Sequence, residues 1–374
     1  MKVCILSMQK VQNLGSIMQG YSLKKLLESL GHEVEFIDIE ARQEDNELMP
    51  SKGKMNFEQE GLSNSFFSKL KKVDKYLLVR IKQQRIRRKQ YMLFEKFRCD
   101  ILGICEASNK LHYDYCIIGS DEVFNCMQDS PWGFTSQLFG NVSQADHVIT
   151  YAASCGFTKY EYLNQPMKAK IKEAMKNISA ISVRDKNTRE FAAHFSDLQI
   201  YQHMDPVMIG NFDAEIEAVS LPTEFRQDYC LIYAYGNRIS SQNEVQDILS
   251  ICRKEGLSIL TVAASYQLWT DSNKVLTPFQ ILKAFKSAKF VITDTFHGTI
   301  FSIKYADRFA VLMRESNKNK LSDLIERLNI ENHVYNSGRS MEEIYHTVNE
   351  HERIWKIEYE NYQLTKAYFQ KYIM

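Results

Sequence analysis

The sequence predicts an α/β protein with two Rossmann-like domains that face a common cleft. Short apolar runs typical of strands alternate with amphipathic, helix-like segments along the chain, which is the pattern of parallel β-α-β units. The alternation loosens once, at 207–227, and then restarts. A length of 374 residues also fits two domains of ordinary size better than one. We therefore predict domains at 1–210 and 228–340, followed by a C-terminal helix within 341–374 that packs back on the first domain.

The first β-α-β unit is predicted from residues 2–37. An apolar strand at 2–7 precedes an amphipathic helix at about 16–30, and a second strand follows at 34–37. The turn that starts at Asn13 then lies at the carboxyl edge of a parallel sheet, where α/β proteins bind ligands. This turn lacks the spacing G-x-G-x-x-G, so the sequence does not predict a dinucleotide site there.

The same alternation extends through the rest of the first domain and the whole of the second. Predicted strands begin at 113, 148, 180, 198, 230, 258, 290 and 309, and predicted helices cover 166–178, 187–195, 241–255, 278–288, 298–305, 320–329 and 341–372. Several strands end in polar turns, among them Gly119-Ser120-Asp121 and Arg184-Asp185. The last helix is predicted to present Ile344, Val348, Trp355, Tyr359 and Tyr362 on one face.

One strand-to-helix turn stands out in the second domain. The strand 290–293 runs into Asp294 and Thr295, and His297 opens the helix that follows. The start of a helix offers unpaired N–H groups and positive potential to an anion, and a histidine there can bind the anion or move a proton. A capped helix with an incidental histidine is the alternative interpretation.

Residues 69–98 form a strongly basic segment. Twelve Lys and Arg stand against Asp74 and Glu95, a net +10, which leaves −9 for the rest of a chain whose total is +1. An apolar helical stripe runs through the segment, so it is predicted to be a helical insertion. It is either a solvated helix face or a surface that contacts anionic lipid or an anionic carrier. Nucleic acid is not expected, because no nucleic-acid-binding module accompanies the charge.

Cysteine usage and hydropathy predict a cytoplasmic protein. The eight cysteines are scattered without a C-x-x-C pair, and we interpret them as reduced core thiols. The N-terminal apolar run is a strand rather than a signal peptide, and no apolar stretch is long enough for a transmembrane helix. The His and Cys spacings predict no metal site, and no cofactor is expected.

Six segments in fixed order make the chain resemble the polysaccharide pyruvyl transferase family along nearly its whole length. They are Asn13-Leu-Gly15-Ser16-Ile-Met-Gln19, Tyr113-Asp114 through Gly119-Ser120-Asp121, Tyr151-Ala-Ala-Ser154, Ser182-Val-Arg184-Asp185, Asp205-Pro206, and Thr293-Asp-Thr-Phe-His297-Gly298-Thr299. The resemblance implies a fold similar to the GT-B glycosyltransferase architecture.

The resemblance also implies an activity. Members of the family transfer a pyruvyl group from phosphoenolpyruvate to two hydroxyls of a sugar, in a cell-surface glycan or its lipid-linked precursor, and form a cyclic ketal. A glycosyltransferase that uses a nucleotide sugar is the competing enzyme class, and a non-catalytic glycan-binding relative is the third alternative.

The implied reaction assigns roles to residues at the strand ends. The catalytic candidates are His297, as general acid or phosphate clamp; Arg184, as a fork for carboxylate or phosphate; and Asp121, as acceptor-side base. The donor-binding candidates are the amides of Gly298 and Thr299 and the ammonium groups of Lys320 and Lys318. The acceptor-binding candidates are Asn13, Gly15 and Ser120.

Each role has a structural alternative. Arg184 could form a surface ion pair with Asp185, Asp121 could cap a helix, and turn geometry alone could explain Asn13 and Gly15. The pair Asp205-Pro206 is interpreted as a structural turn between the domains.

The chain departs from the family pattern at two places that bear on the site. Glu122-Val123-Phe124 stands where Gln-Val-Trp is common, and Lys320 stands where an arginine often opens the helix. Lysine keeps the charge but loses the bidentate fork, which puts the donor contact of Lys320 in question. Thr295, often serine in the family, is a mild change.

Overall fold

The computed structural model describes residues 1–49, 73–104, 111–263, 265–336 and 338–373. Within these residues the chain forms two parallel six-stranded sheets with helices packed on them, so the predicted α/β class with two Rossmann-like units is confirmed. Most of the predicted strands and helices lie within a few residues of their predicted bounds.

The strands of the first sheet come from the N-terminal part of the chain. Their bounds are Lys2–Leu6 (β1), Glu33–Ile37 (β2), Tyr113–Asp121 (β3), Ala145–Ala153 (β4), Ile178–Val183 (β5) and Ile200–Gln202 (β6). They are arranged in the order β2-β1-β3-β4-β5-β6. Since β2 and β3 flank β1 on opposite sides, the carboxyl ends of β1 and β3 form a topological switch point.

The second sheet repeats this plan. Its strands are Tyr229–Tyr233 (β7), Ser258–Val262 (β8), Ser272–Lys274 (β9), Phe290–Thr293 (β10), Phe309–Leu312 (β11) and Val334–Tyr335 (β12), in the order β12-β11-β10-β7-β8-β9. Its switch point lies between β7 and β10, which pair in parallel with Thr293 opposite Tyr233. The short strands β9 and β12 were not predicted from the sequence.

The α-helices connect these strands. Their bounds are Leu14–Ser29 (α1), Gln43–Asn46 (α2), Val73–Phe97 (α3), Gln165–Met175 (α4), Lys186–Ala193 (α5), Pro206–Ile209 (α6), Asp213–Glu217 (α7), Gln242–Lys254 (α8), Pro278–Ser287 (α9), Phe296–Tyr305 (α10), Lys318–Leu328 (α11), Met341–Tyr345 (α12) and His351–Tyr372 (α13). No helix among the described residues is both long and apolar enough to cross a bilayer.

The C-terminal helix crosses back to the first sheet, as predicted. The Tyr368 hydroxyl donates a 2.8 Å hydrogen bond to the carbonyl of Thr150 in β4, and the ring of Phe369 packs 4.9 Å from that of Tyr151. One continuous cluster of buried apolar side chains joins this helix to both sheets. The two units therefore share part of their core.

The predicted packing face of that helix is wrong. The segment is two helices, α12 and α13, because Asn349 turns inward between them and donates to the carbonyls of Ile303 and Ala306. This break changes the helical register, so Trp355 and Tyr359 are largely exposed. The buried residues of α13 are instead Ile354, Thr365, Tyr368 and Phe369.

The basic segment forms α3, which lies where the two sheets meet. Phe97 of α3 packs edge-to-face on Tyr21 of α1 and on Phe279 of α9, at 5.9 and 5.3 Å between ring centroids. Residues 69–72 of the predicted insertion, and residues 50–68 before it, lie outside the described residues.

One basic residue of the segment 69–98 is buried and does not lie on the protein surface. Arg98 is buried and donates to the carbonyls of Gln9 (2.8 Å) and Val11 (2.6 Å), besides pairing with Glu95. Arg98 therefore holds the loop between β1 and α1, and it does not belong to a surface that could contact a membrane.

The prediction of reduced thiols holds for six cysteines, which are free and buried: Cys4, Cys116, Cys126, Cys155, Cys230 and Cys252. It is wrong for Cys99, which is disulfide-bonded. Cys105 lies outside the described residues.

Candidate active site

The turns at the carboxyl ends of the two sheets meet at the carboxylate of Asp205. This residue follows β6, and its Oδ2 lies 2.7 Å from Nη1 of Arg184, 3.2 Å from Oγ of Ser120 and 3.5 Å from Nε2 of His297. Arg184 and Ser120 belong to the first unit, whereas His297 belongs to the second. The structure thus brings together three residues that the sequence analysis had singled out separately.

Asp205 itself was missed as a member of the site. Its Oδ1 accepts from the amide of Val207 and caps α6, so the structural turn is real. Its other oxygen, however, faces two basic side chains. Burial alone would raise the pKa of Asp205, but His297 and Arg184 hold that pKa well below its usual range. The sequence could have indicated the role of Asp205, because this residue follows the last strand of the first domain.

Arg184 is buried and does not pair with Asp185. Its guanidinium binds Asp205 and lies 4.3 Å from the ring centroid of Phe296, the first residue of α10. Asp185 instead caps α5 through the amide of Thr188. The predicted alternative of a surface ion pair is therefore wrong.

His297 is fixed from the opposite side by α1. A Cβ atom built on Gly15, in the first turn of α1, would overlap the imidazole ring of His297. Only a glycine lets the backbone come this close. Gly15, predicted on the acceptor side, therefore also sets the position of the His297 ring.

Two buried nitrogens in this group make no hydrogen bond, although one of them, Nε2 of His297, faces Asp205 at 3.5 Å. Among the described residues, Nε of Arg184 and Nε2 of His297 are buried and make no hydrogen bond. An unpaired buried donor is costly, and most buried polar groups are satisfied. Two such nitrogens on residues that share Asp205 form a place that suits an anionic or strongly accepting ligand.

The backbone amides of Gly298 and Thr299, which were predicted to bind phosphate, already donate hydrogen bonds within the protein. The amide of Gly298 donates to Oγ1 of Thr295, the cap of α10, at 2.9 Å. The amide of Thr299 donates to the carbonyl of the same residue at 3.0 Å. The prediction that these two N–H groups bind phosphate is therefore wrong for this arrangement. Helix geometry leaves the first two amides of α10, those of Phe296 and His297, without intrahelical acceptors.

A second buried carboxylate, that of Asp294, holds the turn that precedes His297. The sequence places Asp294 in this turn but did not indicate a role for it. Asp294 lies 3.3 Å from Nε of Arg238 and 3.7 Å from Nε of Arg314, and its Oδ1 accepts from the amide of Tyr235. Asn317 donates to its carbonyl at 2.5 Å. These contacts fix the connection between β10 and α10, from which His297 projects.

Asp121, predicted to act on the acceptor, lies beside this group in the first unit and does not cap a helix. Its Oδ2 accepts a 2.5 Å hydrogen bond from the hydroxyl of Ser16, and Asn13 caps α1 through the amide of the same serine. Asp121 has a φ of +77°, a left-handed conformation that costs a residue with a side chain of order 1 kcal/mol or more. The predicted acceptor candidates Asn13 and Ser120 therefore lie around Asp121 and Asp205, at the first switch point.

The two departures from the family pattern contact each other. Lys320 at the start of α11 forms an ion pair with Glu122, which follows β3, across the boundary between the units. Burial alone would raise the pKa of Glu122, but Lys320 and the amide of Asn125 lower it to about 2. Lys318 is exposed and pairs with Glu315 at 3.3 Å, so the structure does not bring it to this group.

A family model described as Polysaccharide pyruvyl transferase matches residues 13–316 of the chain. The match begins at the turn of Asn13 and extends past His297. No curated protein matches the chain.

Solved structures resemble the fold over most of its length at low identity. Glycosyltransferase SnogD from Streptomyces nogalater is 11% identical, with 97% of this chain and 93% of that one covered and a TM-score of 0.40. Methanocaldococcus jannaschii UDP-GlcNAc 2-epimerase is 12% identical, with 96% and 99% covered and a TM-score of 0.40. Heptosyltransferase WaaC from E. coli is 11% identical, with 89% and 100% covered and a TM-score of 0.36. At these values the likeness carries no argument about ligand or reaction.

Proposed function

Because the chain belongs to the polysaccharide pyruvyl transferase family, a family of transferases, we propose that it transfers the pyruvyl group of phosphoenolpyruvate to two hydroxyls of one sugar. The product is a cyclic ketal on a cell-surface glycan or on its lipid-linked precursor. One observation carries the assignment of the site: Arg184 and His297 share the carboxylate of Asp205, and each keeps a buried nitrogen that makes no hydrogen bond.

The donor has two groups that these nitrogens suit. Phosphoenolpyruvate carries a carboxylate and a phosphate, and a guanidinium binds either with directed N–H bonds. Arg184 has already given Nη1 to Asp205 and would offer Nε to the donor. Nε2 of His297, the nitrogen that faces Asp205, would bind the phosphate or deliver a proton.

The reaction needs one proton donor and one proton acceptor. Protonation of the methylene carbon of phosphoenolpyruvate produces the methyl group and an oxocarbenium-like C2. One sugar oxygen bonds to C2, the C–O bond to phosphate breaks, and the second sugar oxygen closes the ring. Of the two hydroxyl protons, one restores the acid and the other leaves with inorganic phosphate. Positioned acid–base groups contribute about 10²–10⁴-fold to such a step.

The remaining residues take supporting roles in this proposal. Asp121 accepts a proton from the sugar or binds its hydroxyl, together with Asn13 and Ser120. Lys320 neutralises the leaving phosphate after it separates from Glu122. Gly298 and Thr299 shape the start of α10, and Lys318 contributes long-range positive charge only.

We further propose that the protein works in the cytoplasm, with α3 in peripheral contact with anionic membrane. Arg85, Arg87, Arg88 and Lys89 are exposed on this helix. Lipid-linked precursors would be presented at that surface, and juxtamembrane basic residues are attracted to anionic lipid.

Donor binding tests the proposed function. Phosphoenolpyruvate should raise the thermal unfolding temperature of the protein, because a ligand that binds only the folded state stabilises it. Nucleotides such as UDP should not. Stabilisation by a nucleotide and none by phosphoenolpyruvate would favour the glycosyltransferase alternative and contradict the proposal.

A further inference from the structure

A cavity of about 900 Å³ lies at the far ends of the two helices that begin at the candidate active site. Its wall includes Lys25 in the second half of α1 and Tyr305 at the end of α10. Along α10, Tyr305 is eight residues from His297, which corresponds to about 12 Å of helix. The cavity is thus separate from the group around Asp205 but shares its helices.

Two exposed aromatic rings form the rim of this cavity on α13. Trp355 and Tyr359 are 60% and 54% exposed, and their rings stack with centroids 5.8 Å apart and planes 20° from parallel. Aromatic side chains of this size are usually packed or partnered. At the mouth of a cavity, the exposed outer faces of such a stacked pair are open to a ligand.

The polar groups inside the cavity select against an anion. Lys304 pairs with Glu358 at 2.9 Å, and Lys25 pairs with Glu215 at 2.5 Å. Because each ammonium already has a carboxylate, neither lysine is left to attract a second anion. The carboxylates instead remain acceptors for hydroxyl donors.

One buried hydroxyl in the wall has no partner. Tyr305 is only 8% exposed, and its hydroxyl makes no hydrogen bond with any part of the chain that the structure describes. Oε2 of Glu215 is in the same condition. Both atoms are closed to solvent in this structure, so an occupant can pair with them only when their side chains turn toward the cavity. An occupant with hydroxyl groups can then satisfy them, whereas an acyl chain would leave both unpaired.

We infer that this cavity binds a neutral saccharide. The apolar face of a pyranose ring would stack on Trp355 and Tyr359, while its hydroxyls donate to Glu215 and Glu358 and pair with the hydroxyl of Tyr305. A pocket with aromatic walls and a few convergent polar groups is the usual form of a small-molecule site. The inference does not depend on the transfer reaction, because every group that carries it lies outside the candidate active site.

Calorimetric titration of the full-length protein with mannotriose, galactotriose and maltotriose tests this site. We expect at least one trisaccharide to bind with a Kd of about 1 mM or below. Trp355→Ala should weaken that binding at least about 10-fold, which is about 1.4 kcal/mol. Tyr305→Phe, which removes only the hydroxyl, should weaken it several-fold.

Two control variants show whether a loss of trisaccharide binding is specific to the cavity. Leu364→Ala removes an apolar side chain on the same helix that is also 60% exposed but is not part of the cavity wall, and it should bind as wild type. His297→Ala should also bind as wild type, which separates this site from the proposed donor site. The inference is overturned if no trisaccharide binds, or if Trp355→Ala and Tyr305→Phe, shown to be folded by their melting curves, both bind like wild type.

Discussion

At Gly15 the backbone of α1 lies directly against the imidazole of His297. A larger residue at this position should therefore displace the imidazole. The Cβ of Gly15→Ala would overlap the ring and displace it from its present position beside Asp205. We expect kcat for ketal formation to fall about 10²-fold, because a displacement of about 1 Å at a reacting group has an effect of that size. The free energy of unfolding should change by about 1 kcal/mol or less, since alanine favours the helix.

Gly20→Ala on the same helix is the matched control. Its new Cβ would meet Cε1 of Phe36 at 3.4 Å, an ordinary van der Waals distance. Steady-state kinetics should show near-normal turnover for this variant. Equal losses in the two variants would mean that the contact between Gly15 and His297 is unimportant.

Asp205→Asn should destabilise the protein in a pH-dependent way. The substitution leaves the buried guanidinium of Arg184 without its counter-ion, a change that typically costs about 3–5 kcal/mol. The pKa of Asp205 is depressed in the folded state. Its stabilising contribution is therefore present above its unfolded pKa of about 3.9 and is lost as the pH falls below that value.

Urea denaturation of wild type and variant at several pH values measures this difference. The gap in unfolding free energy should be largest near neutral pH and should narrow below about pH 4. Asp307→Asn, at an exposed pair with His351, is a control and should change the unfolding free energy by less than about 1 kcal/mol. A constant or absent gap for Asp205→Asn would contradict the assigned ion pair.

The sequence alone could predict a role in the candidate site for some residues but not for others. His297 and Arg184 could be proposed because each follows a predicted strand, within a segment that resembles the polysaccharide pyruvyl transferase family. Asp205 could not, since an aspartate before a proline fits a simple cap, and its second role depends on a partner 92 positions away. The amides of α10 were misjudged although Thr295, three residues before Gly298, has the spacing of an N-cap.

At the scale of elements, the pair of Glu122 and Lys320 joins the end of β3 to the start of α11. Glu122→Gln removes the charge that competes with a phosphate for Lys320. We expect phosphoenolpyruvate to bind about 10-fold more tightly to this variant, which is about 1.4 kcal/mol. Isothermal titration with the donor alone measures this.

Glu315→Gln provides the control for that experiment. Glu315 pairs with Lys318 on the surface, where screening makes an ion pair weak, so donor affinity should stay the same. If Glu122→Gln binds phosphoenolpyruvate no better than Glu315→Gln does, Lys320 is not a donor ligand.

A separate prediction concerns the binding of the basic helix α3 to anionic membranes. Replacement of Arg85, Arg87 and Arg88 by glutamine should reduce co-sedimentation with vesicles rich in phosphatidylserine roughly 10²-fold, at about 1 kcal/mol for each charge. Arg87 also donates to the hydroxyl of Tyr266, so the melting temperature of the variant should be checked.

Glutamine at Lys172 of α4, at Lys176 directly after α4 and at Lys356 of α13, all of them exposed, serves as the control triple variant. This control should sediment like wild type. Binding that ignores anionic lipid, or that both triple variants lose equally, would exclude α3 as the membrane contact.

Elements were predictable where they were long and periodic. The long strands and amphipathic helices followed from apolar spacing alone. The two-residue strand β12 and the break between α12 and α13 did not, because both depend on tertiary contacts such as the inward amide of Asn349. The exposed aromatic rings of α13 became visible only after that break corrected the helical register.

At the scale of the whole molecule, the candidate site exists because two switch points meet. The first lies between β1 and β3, near Asp121, and the second between β7 and β10, near His297. The sequence could predict two sheets and the polar turns at their edges. It could not predict which turns would touch, since that depends on how the shared core sets the two units against each other. We expect the cleft between the units to open before the donor enters, because Arg184 and Asp205 are buried.

Ketal formation is the most direct test of the central claim that Arg184 and His297 form the donor site of a pyruvyl transferase. Purified protein would be incubated with phosphoenolpyruvate and a panel of galactosides and mannosides, with phosphate release and the mass of the sugar as readouts. We predict that wild type releases phosphate and adds a pyruvyl ketal to one sugar, whereas folded His297→Ala and Arg184→Ala do neither. Wild-type turnover by either variant, or a sugar product that contains no pyruvyl group, would contradict the account.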